Sequence, residues 1–175
     1  MEPVAVTIRT ARVGDTAAIG ACHVLSWQTA YAGQFPQSFL DGLDPDARAA
    51  GWRRYLKADD HDREALTVAE IDGEAVGFAS VGPCRDPDRS AAGELYALYL
   101  LPEVWGRGVG RTLIAATVET LAGFGFAEAT LCVLDTNARA RRFYQAAGWA
   151  ADGASRVEES FAFPIPEVRY RRALP

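Results

Sequence analysis

The sequence is poor in the residues that build metal sites and disulfide frameworks. Its 175 residues include only three cysteines and two histidines. Cys22, Cys84 and Cys132 lie far apart and form no CxxC motif, so we expect reduced thiols. His23 and His61 have no partner at the spacing of a zinc site. The sequence therefore predicts no bound metal.

Long apolar runs and an excess of basic residues are also missing. No run approaches the roughly 18 apolar residues of a membrane-spanning helix, and the opening segment MEPVAVTIRT has no apolar signal core. We therefore expect a cytoplasmic protein that does not bind membranes. The formal net charge of −5 and the isoelectric point near 5.1 argue against a nucleic-acid partner, because proteins that bind nucleic acids are normally basic.

The residues that are present suit one domain, spanning 1–175, because 49% of them are hydrophobic and 23% charged. The hydrophobic periodicity predicts a mixed α/β domain in the order β-α-α-β-β-β-α-β-α-β-β. The predicted strands are 4–10, 65–71, 74–81, 95–100, 130–134, 149–157 with 160–163, and 168–174. The predicted helices are 19–30, 44–56, 113–121 and 138–147, and residues 31–42 should form a short helix and loop. Gly14-Asp15-Thr16 should supply a turn and the cap of the first helix.

The stretch from 94 to 121 organises the chain. An alternating apolar strand ends at Pro102, and the glycine-rich turn GRGVGR, residues 106–111, follows and leads into a helix. Glycines let the backbone approach a ligand closely, and the free N–H groups of a first helical turn attract negative charge. This succession of strand, turn and helix is therefore typical of phosphate binding.

Together with LDTNARARRFYQAAGW, residues 134–149, this stretch resembles the GNAT superfamily of N-acetyltransferases. The matching positions in the second segment are Asn137, Ala140, Phe143, Tyr144, Gly148 and Trp149. The resemblance covers essentially the whole chain and is strongest from 94 to 149. It implies the GNAT fold, a single mixed central sheet of about seven strands flanked by four helices, and acetyl-coenzyme A as the acetyl donor.

The resemblance also assigns residues to the coenzyme. Backbone groups of Leu98, Tyr99 and Leu100 should pair with its pantetheine arm as though it were another strand. N–H groups of the turn should hold the pyrophosphate, and these belong to Gly106, Arg107, Gly108, Val109, Gly110 and Arg111. Asn137 should cap a helix, contact the coenzyme arm, or do both. Trp105 is a departure, because the family commonly has Arg or Gln there.

Transfer of an acetyl group from a thioester to an amine needs a base, an oxyanion donor and an acid, because an alkylamine is mostly protonated at neutral pH. By position, Tyr144 should be the acid for the departing thiolate and also touch the coenzyme. The alternative is a core aromatic. Glu94 is the best candidate for the base, with Tyr96 ordering a water, although Glu94 could be a solvated strand-end charge. The oxyanion donor should be the N–H of Leu98 or Tyr99.

The acceptor site should include Trp27, Tyr31 and Phe35, with Phe39 a further candidate, although aromatics at helical spacing are more often core residues. They favour a small-molecule primary amine with an apolar part, acetylated by direct attack in a ternary complex. Two alternatives remain, a peptide or protein N-terminus and a non-catalytic acyl-coenzyme A-binding regulatory module. Cys132 stands where the protein N-terminal branch of the family has a glutamate, which counts against the first. A homodimer through the last strands stays open.

Overall fold

The computed structural model describes residues 5–58 and 60–175. It contains one sheet of seven strands, and apolar cores cover both of its faces. The strands are β1 (Thr7–Thr10), β2 (Ala65–Ile71), β3 (Glu74–Pro83), β4 (Gly93–Leu100), β5 (Glu128–Leu134), β6 (Ala150–Glu158) and β7 (Ile165–Ala173). The helices are α1 (Thr16–Ala30), α2 (Gln37–Asp41), α3 (Pro45–Lys57), α4 (Val109–Gly123) and α5 (Ala138–Ala146).

The strand order across the sheet is β1-β2-β3-β4-β5-β7-β6. Every neighbouring pair is antiparallel except β4 and β5, which are parallel. Successive residues of β3 point to opposite faces, so that Phe78 joins a core formed with α1 and Ala79 a core formed with α4. The predicted mixed α/β sheet with its element order is confirmed.

Several local predictions are also confirmed. Asp72 and Gly73 have φ angles of 52° and 84°, which places both in the left-handed region that a tight two-residue hairpin requires. The Asp44 carboxylate accepts the N–H of Asp46 at 2.9 Å and so caps α3, with Pro45 in its first turn. Gly148, with φ 85°, ends α5.

The short helix expected within residues 31–42 is confirmed at Gln37–Asp41, and it stands beside the four longer described helices. Other details of the prediction are wrong. The first strand begins at Thr7, and Val4, its predicted start, lies outside the described residues. Residues 160–163 form bends instead of a strand, because Phe161 and Phe163 turn onto the aromatic rings of Phe35 and Phe39.

Two polar or turn-forming residues also behave differently from the prediction. The Asp15 side chain does not cap α1, because its carboxylate accepts the N–H of Arg12 and the guanidinium of Arg9. Pro166 lies inside β7 instead of preceding it. Its carbonyl accepts the N–H of Asp135, so this position still contributes a hydrogen bond between β7 and the residue that follows β5.

The feature that positions the site is a gap in the middle of the sheet. The parallel pairing of β4 with β5 covers only Gly93–Leu95 against Ala129–Leu131. Next to it, the pairing of β4 with β3 jumps from Leu95 to Ala97, which leaves Tyr96 as the extra residue of a β-bulge. A bulge bends its strand. Beyond it β4 and β5 separate, and each presents a strand edge to the space between them.

Candidate active site

The space between the separated strands is a cleft of about 490 Å³. Its wall includes the predicted site residues Trp27, Tyr31, Phe35, Glu94, Tyr96, Leu98, Tyr99, Leu100, Gly106, Gly108, Gly110, Arg111, Asn137 and Tyr144. Three other candidates are not on this wall. Val109 is fully buried in the core, Arg107 is exposed, and Phe39 packs behind Phe35.

The β4 edge offers backbone groups that β5 does not use. Residues 96–100 all line the cleft, and the ladder with β5 has already ended at Leu95. An extended amide-bearing ligand can add to such an edge as another strand. One acceptor is partly engaged, since the indole Nε1 of Trp105 donates to the carbonyl oxygen of Leu100 at 3.0 Å. The cationic side chain of Arg139 lies 3.8 Å from the centre of the Trp105 ring.

The glycine-rich turn provides free donors at the start of α4. Gly108 has a φ of 87° and stands at the N-cap position, a conformation that glycine adopts without strain. Arg107 and Arg111 already donate their N–H groups to the carbonyls of Val104 and Gly108. Within the described residues, the turn N–H groups without a backbone acceptor are those of Gly106, Gly108, Val109 and Gly110. The first helical turn therefore faces the cleft with unsatisfied donors suited to an anion.

Tyr144 of α5 reaches the same cleft and is half-buried. Its ring packs edge-on against Phe143, and no described residue hydrogen-bonds its hydroxyl. Burial raises the pKa of Tyr144 well above its ordinary value, and the nearby Tyr99 raises it further. The phenol is therefore protonated at neutral pH and can donate a proton or a hydrogen bond. Asn137, about two turns earlier, caps α5 by accepting the N–H of Ala140 at 3.0 Å.

Glu94 is 2% exposed at the start of β4, yet its carboxylate reaches the cleft wall. The Arg85 guanidinium donates to both oxygens, at 2.6 and 3.2 Å, and the Arg85 N–H donates to Oε2 at 2.9 Å. Glu94 is therefore held as one half of an ion pair. Tyr96 meets the same arginine, whose Cζ lies 4.4 Å from the ring centre. The Tyr96 hydroxyl donates to the carbonyl of Pro83, and burial raises its pKa to about 12.

The opposite wall of the cleft is aromatic. Trp27 and Tyr31 of α1 pack edge-on with ring centres 5.3 Å apart, and Phe161 lies 5.6 Å from Trp27. Behind them His23 stacks on Tyr99 at 5.0 Å and is 9% exposed, with neither ring nitrogen bonded to a described residue. This burial lowers the pKa of His23 to about 4, so the ring is neutral at pH 7.

The sequence did not point to several charged and aromatic residues on the cleft wall. These are Arg85, Arg139, Arg156, Glu158, Phe161 and Glu167. Arg139 lies two residues after Asn137 in a segment already singled out, so its place at the start of α5 was a usable signal. The others come from the β3–β4 loop and the β6–β7 hairpin, and no local pattern indicates that those segments meet.

An ion-pair network holds these two segments together. Arg169 of β7 is 7% exposed and binds three carboxylates, those of Asp86, Asp88 and Asp152, at 2.7 to 3.0 Å. Arg156 of β6 adds a bond to Asp86 at 3.3 Å. Because Asp86 and Asp88 belong to the β3–β4 loop, this network fixes the loop that carries Arg85 against the hairpin.

Within residues 5–58 and 60–175, no group of three or more His, Cys, Asp or Glu side chains is placed to hold a metal ion. None of the described helices is both long and apolar enough to span a bilayer. The three thiols are unpaired. Cys22 and Cys84 are buried, whereas Cys132 of β5 is half-buried on the cleft wall.

Comparison with known proteins gives a consistent result. The uncharacterized N-acetyltransferase YuaI of Bacillus subtilis is 36% identical over 142 residues, 81% of this chain and 78% of that protein. A mycothiol acetyltransferase of Acidimicrobium ferrooxidans is 37% identical over 91 residues, 52% of this chain but only 29% of that protein. The crystal structure of the PaiA N-acetyltransferase of Thermoplasma acidophilum with coenzyme A superimposes with a TM-score of 0.75 at 19% identity, covering 97% of this chain and 99% of that one.

A sequence profile of the acetyltransferase (GNAT) family matches residues 24–149, from α1 to the end of α5. The matched region contains the separated strands, the glycine-rich turn and Tyr144. The chain therefore belongs to the acetyltransferase (GNAT) family and is an acetyl-coenzyme A-dependent N-acetyltransferase.

Proposed function

We propose that this enzyme transfers the acetyl group of acetyl-coenzyme A to a primary amine of a small molecule, by direct attack within a ternary complex. The observation that carries the proposal is the cleft itself, in which a free strand edge, a helix N-terminus and the Tyr144 hydroxyl converge. The coenzyme supplies an activated thioester when it is bound. Binding donor and acceptor in one cleft removes much of the entropic cost of bringing them together.

The residues present fit such a coenzyme. Backbone groups of Leu98, Tyr99 and Leu100 would pair with its amide-bearing arm, since β5 leaves that edge unpaired. The N–H groups without acceptors at the start of α4 would bind its phosphates. Arg111 and Arg139 line the same end of the cleft and would add positive charge there.

Tyr144 is proposed as the acid that protonates the departing thiolate. Its hydroxyl has no partner within the described residues, and its raised pKa keeps it protonated at neutral pH. The oxyanion that develops on the carbonyl oxygen would be stabilised by the backbone N–H of Leu98 or Tyr99. These donors follow the bulge at Tyr96, where β4 bends away from β5.

Glu94 is proposed to accept the proton of the amine through a water ordered by Tyr96. Both side chains line the cleft, and both contact Arg85. Arg85 donates two hydrogen bonds to Oε2 of Glu94 but only one to Oε1, so Oε1 keeps a lone pair that can accept the proton. Arg85 therefore sets the orientation of the base.

The acceptor is proposed to be a small amine with an apolar part. Trp27, Tyr31, Phe35 and Phe161 form the wall that would contact it. Cys132 occupies a cleft position on β5, where it supplies no second carboxylate. Burial raises the pKa of its thiol to about 12, so the thiol is protonated at neutral pH and does not act as a base.

Two measurements test this function in order. Calorimetric titration with acetyl-coenzyme A, beside dephospho-coenzyme A and ATP, should show micromolar binding of the first. A coenzyme A-release assay should then show turnover with at least one member of a panel of amino acids, arylalkylamines, polyamines and aminoglycosides. Higher turnover of short N-terminal peptides than of every small amine would redirect the assignment to protein substrates. Tight coenzyme binding without any turnover would indicate a non-catalytic module.

A further inference from the structure

Two arginines at the acceptor end of the cleft contact neither substrate in the chemistry proposed above. Arg85 lies in the loop after β3, and Arg156 lies in β6, so they reach the cleft from different segments. Arginine presents five N–H donors in a planar fork and accepts nothing. A ligand that hydrogen-bonds to an arginine side chain is therefore an acceptor, and an anionic acceptor is bound most strongly.

The guanidinium of Arg85 is fixed on one side and open on the other. Its Nε and Nη2 donate to Glu94, and its plane lies over the ring of Tyr96. The side chain is nevertheless 59% exposed, and no described residue accepts a hydrogen bond from Nη1. Glu94 and Tyr96 thus hold this fork in place on the cleft wall, and one of its terminal nitrogens has no acceptor among the described residues.

Arg156 is arranged in the same way. Its Nε donates to Glu167 at 2.8 Å and its Nη1 to Asp86 at 3.3 Å. The side chain is 34% exposed, and Nη2 has no acceptor in the described part of the chain. Asp86 is also bound by Arg169, so the anchor of Arg156 is itself fixed.

The surroundings leave these two free nitrogens without a protein anion. Arg156 donates to Asp86, the residue that follows Arg85 in the chain, so both arginines lie on the same part of the cleft wall. The carboxylates of Glu94, Glu167 and Asp86 already serve as their counter-ions. Glu158, also on the wall, accepts the N–H of Ser160. Two fixed guanidiniums on one part of the wall therefore favour the binding of an anionic ligand group.

We propose that Arg85 and Arg156 form a subsite for a carboxylate of the acceptor, which makes the preferred acceptor an amino acid with an apolar side chain. The carboxylate would accept from Nη1 of Arg85 and Nη2 of Arg156. The apolar side chain would lie against Trp27 and Phe161 on the aromatic wall of the same cleft. The role of this subsite in acceptor binding rests on the proposed function, whereas binding of a carboxylate to the two arginines can be measured by itself.

The test compares two ligands that share an amine and a phenyl ring and differ in the carboxylate. The affinities of L-phenylalanine and phenethylamine are measured by calorimetry on the full chain in the presence of coenzyme A. We expect L-phenylalanine to bind at least tenfold more tightly than phenethylamine. Arg85→Gln and Arg156→Gln should each weaken L-phenylalanine by about tenfold to a hundredfold, as expected for a lost charged hydrogen bond, and leave phenethylamine within about twofold.

Controls separate a lost subsite from a damaged fold. Arg142→Gln changes an exposed arginine of α5 that is not on the cleft wall and should affect neither ligand. Arg85→Gln leaves Glu94 buried without its ion-pair partner, so the double variant Arg85→Gln/Glu94→Gln is measured beside it, with thermal unfolding of each protein. Arg85→Lys keeps the charge but loses the fork, and should recover only part of the affinity.

The proposal is overturned if phenethylamine binds as tightly as L-phenylalanine, if the variants weaken both ligands equally, or if neither ligand binds. Preferential binding of a diamine such as putrescine would also overturn it. Failure of the proposed function gives a different result. In that case L-phenylalanine binds in an arginine-dependent way, yet no coenzyme A is released from acetyl-coenzyme A.

Discussion

The two ends of the cleft are built on different principles. The end proposed to bind coenzyme A consists mainly of backbone groups, namely the edge of β4 and the N–H groups at the start of α4, and its residues lie within a short stretch of the chain. The end proposed to bind the acceptor consists of side chains from α1, the β3–β4 loop and the β6–β7 hairpin. A backbone surface depends little on side-chain identity, whereas a side-chain surface changes with every substitution. The first suits an invariant co-substrate and the second suits a variable acceptor.

Tyr144 lies where the two ends meet, and its substitution should give the largest effect. Tyr144→Phe removes the hydroxyl and keeps the ring, so kcat should fall by about 100-fold or more, while the KM values of both substrates change little. Tyr55→Phe, on α3 outside the cleft wall, is the control and should retain full activity. An unchanged kcat for Tyr144→Phe would show that this tyrosine only packs.

His23 lies beneath both ends through its stacking on Tyr99, and it should make stability depend on pH. Burial lowers the pKa of His23 in the folded chain to about 4, below the ordinary value of 6.5. The unfolded chain therefore binds a proton that the folded chain does not, and the free energy of unfolding falls as pH drops below 6.5. The loss should reach about 3 kcal/mol near pH 4, or roughly a hundredfold in the unfolding equilibrium. Denaturant unfolding of wild type and His23→Phe measures it, and equal pH profiles would contradict it.

Gly108 tests the coenzyme end alone. Gly108→Ala places a side chain at a φ of 87°, which costs about 1 kcal/mol and displaces the N–H groups of the turn. The displaced N–H groups should bind the phosphates less well, so the dissociation constant of acetyl-coenzyme A should rise by about tenfold, equivalent to about 1.4 kcal/mol. Gly153→Ala is a matched control, because Gly153 has a φ of 86° in β6 and is not on the cleft wall. Equal weakening by both variants would remove the distinction between the two ends.

Phe161 tests the acceptor end alone, with the smallest expected effect. Phe161→Ala removes a cleft-facing ring, so the KM of an apolar acceptor should rise several-fold while acetyl-coenzyme A binding stays unchanged. Phe163→Ala removes a ring of the same aromatic cluster that does not line the cleft and should leave that KM unchanged. A change in coenzyme affinity for Phe161→Ala would mean that the two ends are not independent.

The same contrast explains how much the sequence could predict. The strands, the glycine-rich turn and the α5 motif have local signatures in the sequence. The sheet, the family and most residues proposed for the coenzyme side of the cleft could therefore be predicted from it. Arg85 and Arg156 carry no such signature. They line the same cleft because Arg169 joins the β3–β4 loop to the hairpin, and contacts between segments some 70 residues apart are not encoded in any local pattern.

The position of β7 in the sheet has a consequence for folding. β6 pairs only with β7, and β7 also supplies the long ladder along β5. Until β7 inserts between them, one edge of β5 and both edges of β6 are unpaired. Unpaired strand edges are where incompletely folded chains associate with one another. Insertion of β7 is thus the step that covers the β5 edge and the inner edge of β6 and closes that route to association.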